Sequence, residues 1–67
     1  MELYRAVEEN NLSEVKKLLQ DENINVNYQD DKKWTPLHLS CHRGYTEIVK
    51  LLLKHKNINV NLINSYG

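Results

Sequence analysis

The sequence predicts an all-α fold, a helical solenoid of two helix-turn-helix repeats joined by a hairpin-like loop. Three observations carry this reading. The pentapeptide NINVN occurs twice, at 23–27 and at 57–61, a shift of 34 residues. The same shift places Leu3 on Leu37, Val15 on Val49, Lys16 on Lys50, Leu18 on Leu52 and Leu19 on Leu53, so that ten of 33 superposable positions match. A period of this length marks stacked supersecondary units, each too small to bury its apolar face alone. Within each unit, finally, apolar residues recur at helical spacing between residues suited to helix ends.

In the first helix, Leu3, Ala6 and Val7 share a face. Asn10 stands where the second unit has Gly44, and Asn accepts left-handed backbone best after Gly. Ser13 is the predicted cap of the second helix, with Val15, Leu18 and Leu19 facing inward. The connector NVNYQDDKKWT reads as extended residues around the polar tip Asp30-Asp31-Lys32-Lys33, a projecting hairpin or turn.

Thr35 then caps a third helix, and Pro36 suits its first position, where a missing N–H costs nothing. Leu37 and Cys41 lie four residues apart on one face, and Gly44 ends the helix. Thr46 is the predicted cap of the fourth helix, whose wide apolar face is Ile48, Val49, Leu51, Leu52 and Leu53. Glu47 in its first turn and Lys54, His55 and Lys56 in its last complement the helix dipole, and Asn57 is the predicted left-handed cap. The organisation is one domain over 1–67: a degenerate N-terminal repeat at 1–29, a full repeat at 30–63 and the start of a further repeat at 64–67.

Composition narrows the class. A chain of 67 residues is one domain at most, and at this size only about 60% of the unfolded surface is buried on folding. A single cysteine forms no internal disulfide and suits a reducing compartment. MELYRAVEEN lacks the apolar stretch of a secretory signal, and the longest apolar run, Leu51-Leu52-Leu53, is far too short for a membrane span. The expectation is a soluble intracellular protein, cytoplasmic or nuclear, with no membrane partner. Net charge is zero but unevenly placed: residues 1–31 hold eight acids and three bases, residues 32–67 one acid and six bases. Neither half is charged enough to make nucleic acid the default partner.

The most specific stretch is WTPLHLSCHRG at 34–44. T-P-L-H at 35–38, with a period near 33, resembles the ankyrin repeat. The resemblance extends through Gly44, through EIVKLLL at 47–53, and to Val-Asn at 60–61 and 26–27. Departures from the family pattern are informative. Ser40 and Cys41 replace two alanines, both small enough for close helix packing. Lys33 stands where the family has a hairpin glycine, which predicts a looser turn. HKN at 55–57 adds one residue to the usual approach. MELY replaces T-P-L-H in the first repeat, as expected of a terminal repeat with one side in water.

The resemblance implies that His38 is framework, linking helix to hairpin through hydrogen bonds shared with Thr35. Two rival readings of His38, Cys41 and His42 are weaker. A structural zinc site needs four ligands, and Cys41 points roughly 100° away from His42 around a helix. Nucleophilic catalysis needs an oriented pair in a cleft, whereas Cys41 reads as a small packed residue. With no glycine-rich phosphate loop and no paired-carboxylate pocket either, we assign no catalytic residue, no cofactor and no metal.

The family resemblance implies a non-catalytic protein-protein interaction module or scaffold. It binds a protein partner through hairpin tips and first-helix surfaces. Carried over by position, the partner-binding residues are Asp31, Lys32 and Trp34 on the hairpin, His42 and Arg43 on the helix, and Glu8 and Glu9 in the first repeat. Trp34 leads, because aromatics and arginines dominate interface hot spots. A plainer reading packs Trp34 on its own hairpin and on Tyr28. The alternative function is self-association without a foreign partner. A homo-oligomer would form through the uncapped second repeat around Leu51 and Leu52, as a closed dimer or a head-to-tail stack. Nucleic-acid binding is a remote third, because six bases spread over two faces make a poor phosphate track.

Overall fold

The computed structural model describes residues 1–61. Four helices follow in order: α1 (Glu2–Glu8), α2 (Leu12–Leu19), α3 (Pro36–Arg43) and α4 (Thr46–Leu53). No strand forms among the described residues. Within each repeat the two helices pack as an antiparallel pair, α1 on α2 and α3 on α4. Between repeats α1 lies beside α3 and α2 beside α4. The predicted start of a further repeat at 64–67 lies outside the described residues.

One core threads both repeats. Leu3, Ala6 and Val7 of α1, Val15 of α2, Val26 of the connector, Leu39 of α3, and Ile48 and Leu52 of α4 are all buried. Each fully buried Leu, Ile or Val contributes about 1.5–3 kcal/mol of transfer free energy. The inward small residue is Ser40, not Cys41. Ser40 is fully buried, and its hydroxyl donates to the Leu37 carbonyl at 3.0 Å. Cys41 is exposed, which corrects its reading as a packed residue; its supposed face-mate Leu37 is only half-buried.

Helix ends explain most of the connections. Gly44 at φ 71° and Asn10 at φ 53° both take the left-handed conformation that turns one helix into the next. Three predicted caps were misplaced. Asn11, not Ser13, caps α2, its Oδ1 accepting from the Glu14 N–H at 3.2 Å. Tyr45 is the N-cap of α4 and makes no side-chain cap bond, while Thr46 is already helical and its hydroxyl donates back to the Gly44 carbonyl. Asn57 does not take a positive φ, and Lys54 forms the C-cap of α4, so His55 and Lys56 follow the helix rather than end it.

The turn at 30–34 is tight. The Asp30 N–H donates to the Trp34 carbonyl at 3.0 Å, and the Lys33 N–H to the Asp30 carbonyl at 2.9 Å. Lys33 sits at φ 65°, so it adopts the glycine-like conformation instead of loosening the turn. Asn27 ties the two repeats together lower down. Its Nδ2 donates to the Asn57 carbonyl and its Oδ1 accepts from the Asn59 N–H, both at 2.8 Å. The repeated NINVN is thus a contact as well as a marker of period.

Candidate functional site

The site is built where the hairpin turn leans over α1 and α3. Asp30 organises it. One carboxylate oxygen accepts from the backbone N–H groups of Lys32 and Trp34, each at 2.9 Å. The other accepts from the Tyr4 hydroxyl at 2.7 Å. Partial burial pushes the Asp30 carboxyl up, but the Tyr4 hydroxyl, the two backbone N–H groups and the Lys32 charge together hold it below its ordinary value. Tyr4 shows the reciprocal effect. Burial, the hydrogen bond to Asp30 and the charges of Asp30 and Glu8 raise its phenol above the ordinary tyrosine range, with Arg43 pulling the other way.

Trp34 is aimed by α3. Its indole meets the His42 ring at 5.1 Å and the His38 ring at 6.3 Å, edge-on at 84° and 78°. His38 and His42 present one face because they lie one helical turn apart. His38 is itself locked. The Thr35 hydroxyl accepts from the His38 N–H, and His38 Nδ1 accepts from the Thr35 N–H, both at 3.1 Å, forming a capping box. The framework role implied by the family thus takes a definite form: each side chain holds the other's backbone. Tyr28, for its part, meets Tyr4 edge-on at 5.9 Å.

Together Tyr4, Asp30, Lys32, Trp34, Leu39, His42 and Arg43 line a cleft of about 240 Å³. Four of the seven sequence-derived residues, Lys32, Trp34, His42 and Arg43, are brought together there. Asp31 is exposed at the turn and is not part of the cleft wall. Glu8 is exposed on α1, near enough for its charge to act on Tyr4. Glu9 is the C-cap of α1 and lies 3.8 Å from Arg5 in an exposed ion pair, outside the cleft wall. The reading of the sequence missed Tyr4, Asp30 and Leu39. Tyr4 carried a usable signal, because the 34-residue shift puts it in the place of His38.

Lys32 and Arg43 form no ion pair among the described residues. No three His, Cys, Asp or Glu side chains come together there as a metal set. No helix among the described residues is long and apolar enough to cross a membrane.

Paired antiparallel helices, a tight connecting turn and a Thr-His capping box define a helical-repeat protein with a cleft at the turn. A family model for ankyrin repeats matches residues 3–67, and the chain belongs to that family. It is 42% identical over 65 residues to an ankyrin repeat protein of Fowlpox virus (strain NVSL), covering 96% of this chain and 15% of the relative. It is 42% identical over 54 residues to the human ankyrin repeat domain-containing protein 7, covering 81% of this chain and 21% of that one. A human acyl-CoA-binding domain-containing protein 6 is 38% identical over 48 residues, 72% of this chain and 17% of its own length. The chain therefore spans about a fifth or less of these relatives. No solved structure matches.

Proposed function

We propose that this chain is a non-catalytic protein-interaction module that takes a segment of a partner protein into the cleft beneath the 30–34 turn. The observation that carries the reading is Trp34. A large aromatic is half-exposed yet held by two histidine rings, above a wall that offers the exposed cations Lys32 and Arg43. Preset aromatic and guanidinium groups are the usual anchors of protein interfaces, because little side-chain freedom is lost on binding. Family membership supports the same class of function. Asp31 at the turn and Glu8 beside Tyr4 stand at the rim, where charges tune partner choice more than affinity.

Trp34 is the only tryptophan, so its fluorescence reports this site alone. The test selects ligands for the whole chain from a displayed random-peptide library and titrates them by fluorescence. Selected peptides should shift the Trp34 emission and lose binding at least tenfold in Trp34→Ala, with helix content unchanged by circular dichroism. Peptides that bind without moving the emission would place the interface elsewhere and refute the proposal.

A further inference from the structure

The polar groups of the cleft beneath the 30–34 turn are not alike. Asp30 is already engaged at both oxygens: one takes the Lys32 and Trp34 N–H groups, the other the Tyr4 hydroxyl. The Tyr4 proton is thereby directed into the wall. The charged side chains left facing outward are those of Lys32 and Arg43, both exposed. An ammonium and a guanidinium carry only donors and no acceptor. A ligand group seated on them has to accept hydrogen bonds.

Charge points the same way. The Lys32 charge is felt at Asp30, so these two offset each other. Arg43, on the last turn of α3, remains as the excess positive charge of the wall. The nearby acids stand elsewhere: Glu8 on α1, Asp31 at the exposed tip of the turn, and Glu9 against Arg5.

Size and spacing narrow the ligand further. A cleft of about 240 Å³ falls below the range of about 300–1,000 Å³ that takes drug-sized molecules, and suits one or two side chains. Its apolar part is Leu39, 6% exposed, beside the half-buried Trp34. Arg43 follows Leu39 by four residues, so the two share a face and stand about 6 Å apart along the helix. An extended chain advances about 3.3 Å per residue and turns alternate side chains to one side. Two of its side chains with one residue between them therefore point the same way about 6.6 Å apart, which matches the helix face.

We infer that the cleft selects an extended segment of a foreign protein in which an Asp or Glu carboxylate stands two places from a large apolar side chain. The carboxylate sits on Arg43 with Lys32 beside it, and the apolar group lies over Leu39 and Trp34. A planar guanidinium takes a carboxylate through two parallel hydrogen bonds, which a lysine does not. The inference rests on the Trp34 cleft being the interface and adds the chemistry of the partner.

The probes are pools of octapeptides with acetylated and amidated ends, so that side chains supply the only carboxylates. Each pool fixes one glutamate and one leucine, adjacent, with one place between them or with two, in either order. Alanine, serine and glycine fill the other places, and matching pools carry glutamine for glutamate. The pools are titrated into the whole chain and followed by Trp34 emission. The glutamate pool with one place between should bind about tenfold more tightly than its glutamine counterpart, and more tightly than glutamate pools of the other spacings. Arg43→Gln should bring the ratio of glutamate to glutamine affinities to within about twofold. Equal binding of the glutamate and glutamine pools, indifference to spacing, or an Arg43→Gln loss that leaves the ratio intact would overturn the inference. So would a dimer in sedimentation equilibrium that the glutamate pool dissociates, since the occupant would then be the acid-rich first half of a second copy. If library-selected peptides move the Trp34 emission and the glutamate pools do not, only the partner's chemistry is refuted. If neither moves it, the cleft is not the interface and both readings fall.

Discussion

The Tyr4 hydroxyl donates to the Asp30 carboxylate at 2.7 Å, across 26 residues of chain. Through this bond the first helix grips the turn from which Trp34 emerges. A part-buried hydrogen bond to a charged acceptor contributes more than a neutral one. Tyr4→Phe keeps the ring and removes only the bond. It should lower stability by about 1–2 kcal/mol in urea unfolding. An unchanged midpoint would show that the turn holds itself.

The same pair sets a pH window. The folded Asp30 carboxyl is depressed, so its contribution is complete above the unfolded value of about 3.9 and is lost as pH falls toward the folded one. In that range the unfolded chain binds more protons, and stability rises with pH. The Tyr4 phenol is raised, so its contribution is complete below about pH 10 and is lost as pH climbs beyond it. The stability difference between the wild type and Tyr4→Phe should therefore be flat from about pH 5 to 9 and shrink on either side. A difference that grows on acidification would contradict this assignment.

His38 serves as a capping residue through an acceptor, Nδ1, that glutamine can also supply. His38→Ala should cost about 1 kcal/mol, and His38→Gln clearly less. Unfolding of the two variants side by side checks this, while His38→Gln should still alter the environment of Trp34 because one ring is lost from its edge. Equal losses in both variants would assign the histidine's contribution to its ring alone.

Backbone strain divides two positions that share a sign of φ. Lys33 is held at φ 65° with a side chain, so Lys33→Gly should stabilise the chain by about 0.5–1 kcal/mol. Gly44 lies at φ 71°, and an added Cβ there meets nothing within 4 Å. Gly44→Ala should nonetheless destabilise by about 1 kcal/mol, from conformation alone. Thermal melts of both variants test the pair of signs.

Asn27 holds the next repeat by donating to one backbone group and accepting from another. Asn27→Ala should lower stability by about 1–2 kcal/mol and speed amide exchange at Asn59, whose N–H loses its acceptor. Unaltered exchange at that amide would argue that packing alone joins the repeats.

Much of this was legible in the sequence because the decisive interactions are local. Thr35, Pro36 and Gly44 mark the ends of α3 within ten residues of one another, and the structure places each in its expected role. Caps were misread where a residue with cap chemistry stands one or two positions inside the true helix start. Ser13 was read as the cap of α2, yet Asn11 has the backbone geometry that lets its side chain reach Glu14. Cys41 was read as packed where Ser40 is the buried residue, since either is small enough and the difference of about 100° in facing between neighbouring helix positions decides burial. Asp30 escaped notice as a site residue because its importance lies in a contact with Tyr4, which no local pattern contains. The cleft brought in what chain proximity could not, and left Glu9 with Arg5 instead.

The turn at 30–34 is closed by Asp30, by backbone groups and by Gln29, whose Nε2 donates to the Lys33 carbonyl at 3.1 Å. The side chains of Asp31 and Lys32 take no part in closing it. Mutations at these two places can therefore accumulate without eroding the scaffold, and each would redraw the lip of the cleft. A hairpin built this way separates what must be kept from what can drift, which makes its tip the cheapest place in the molecule for evolution, or an engineer, to rewrite recognition.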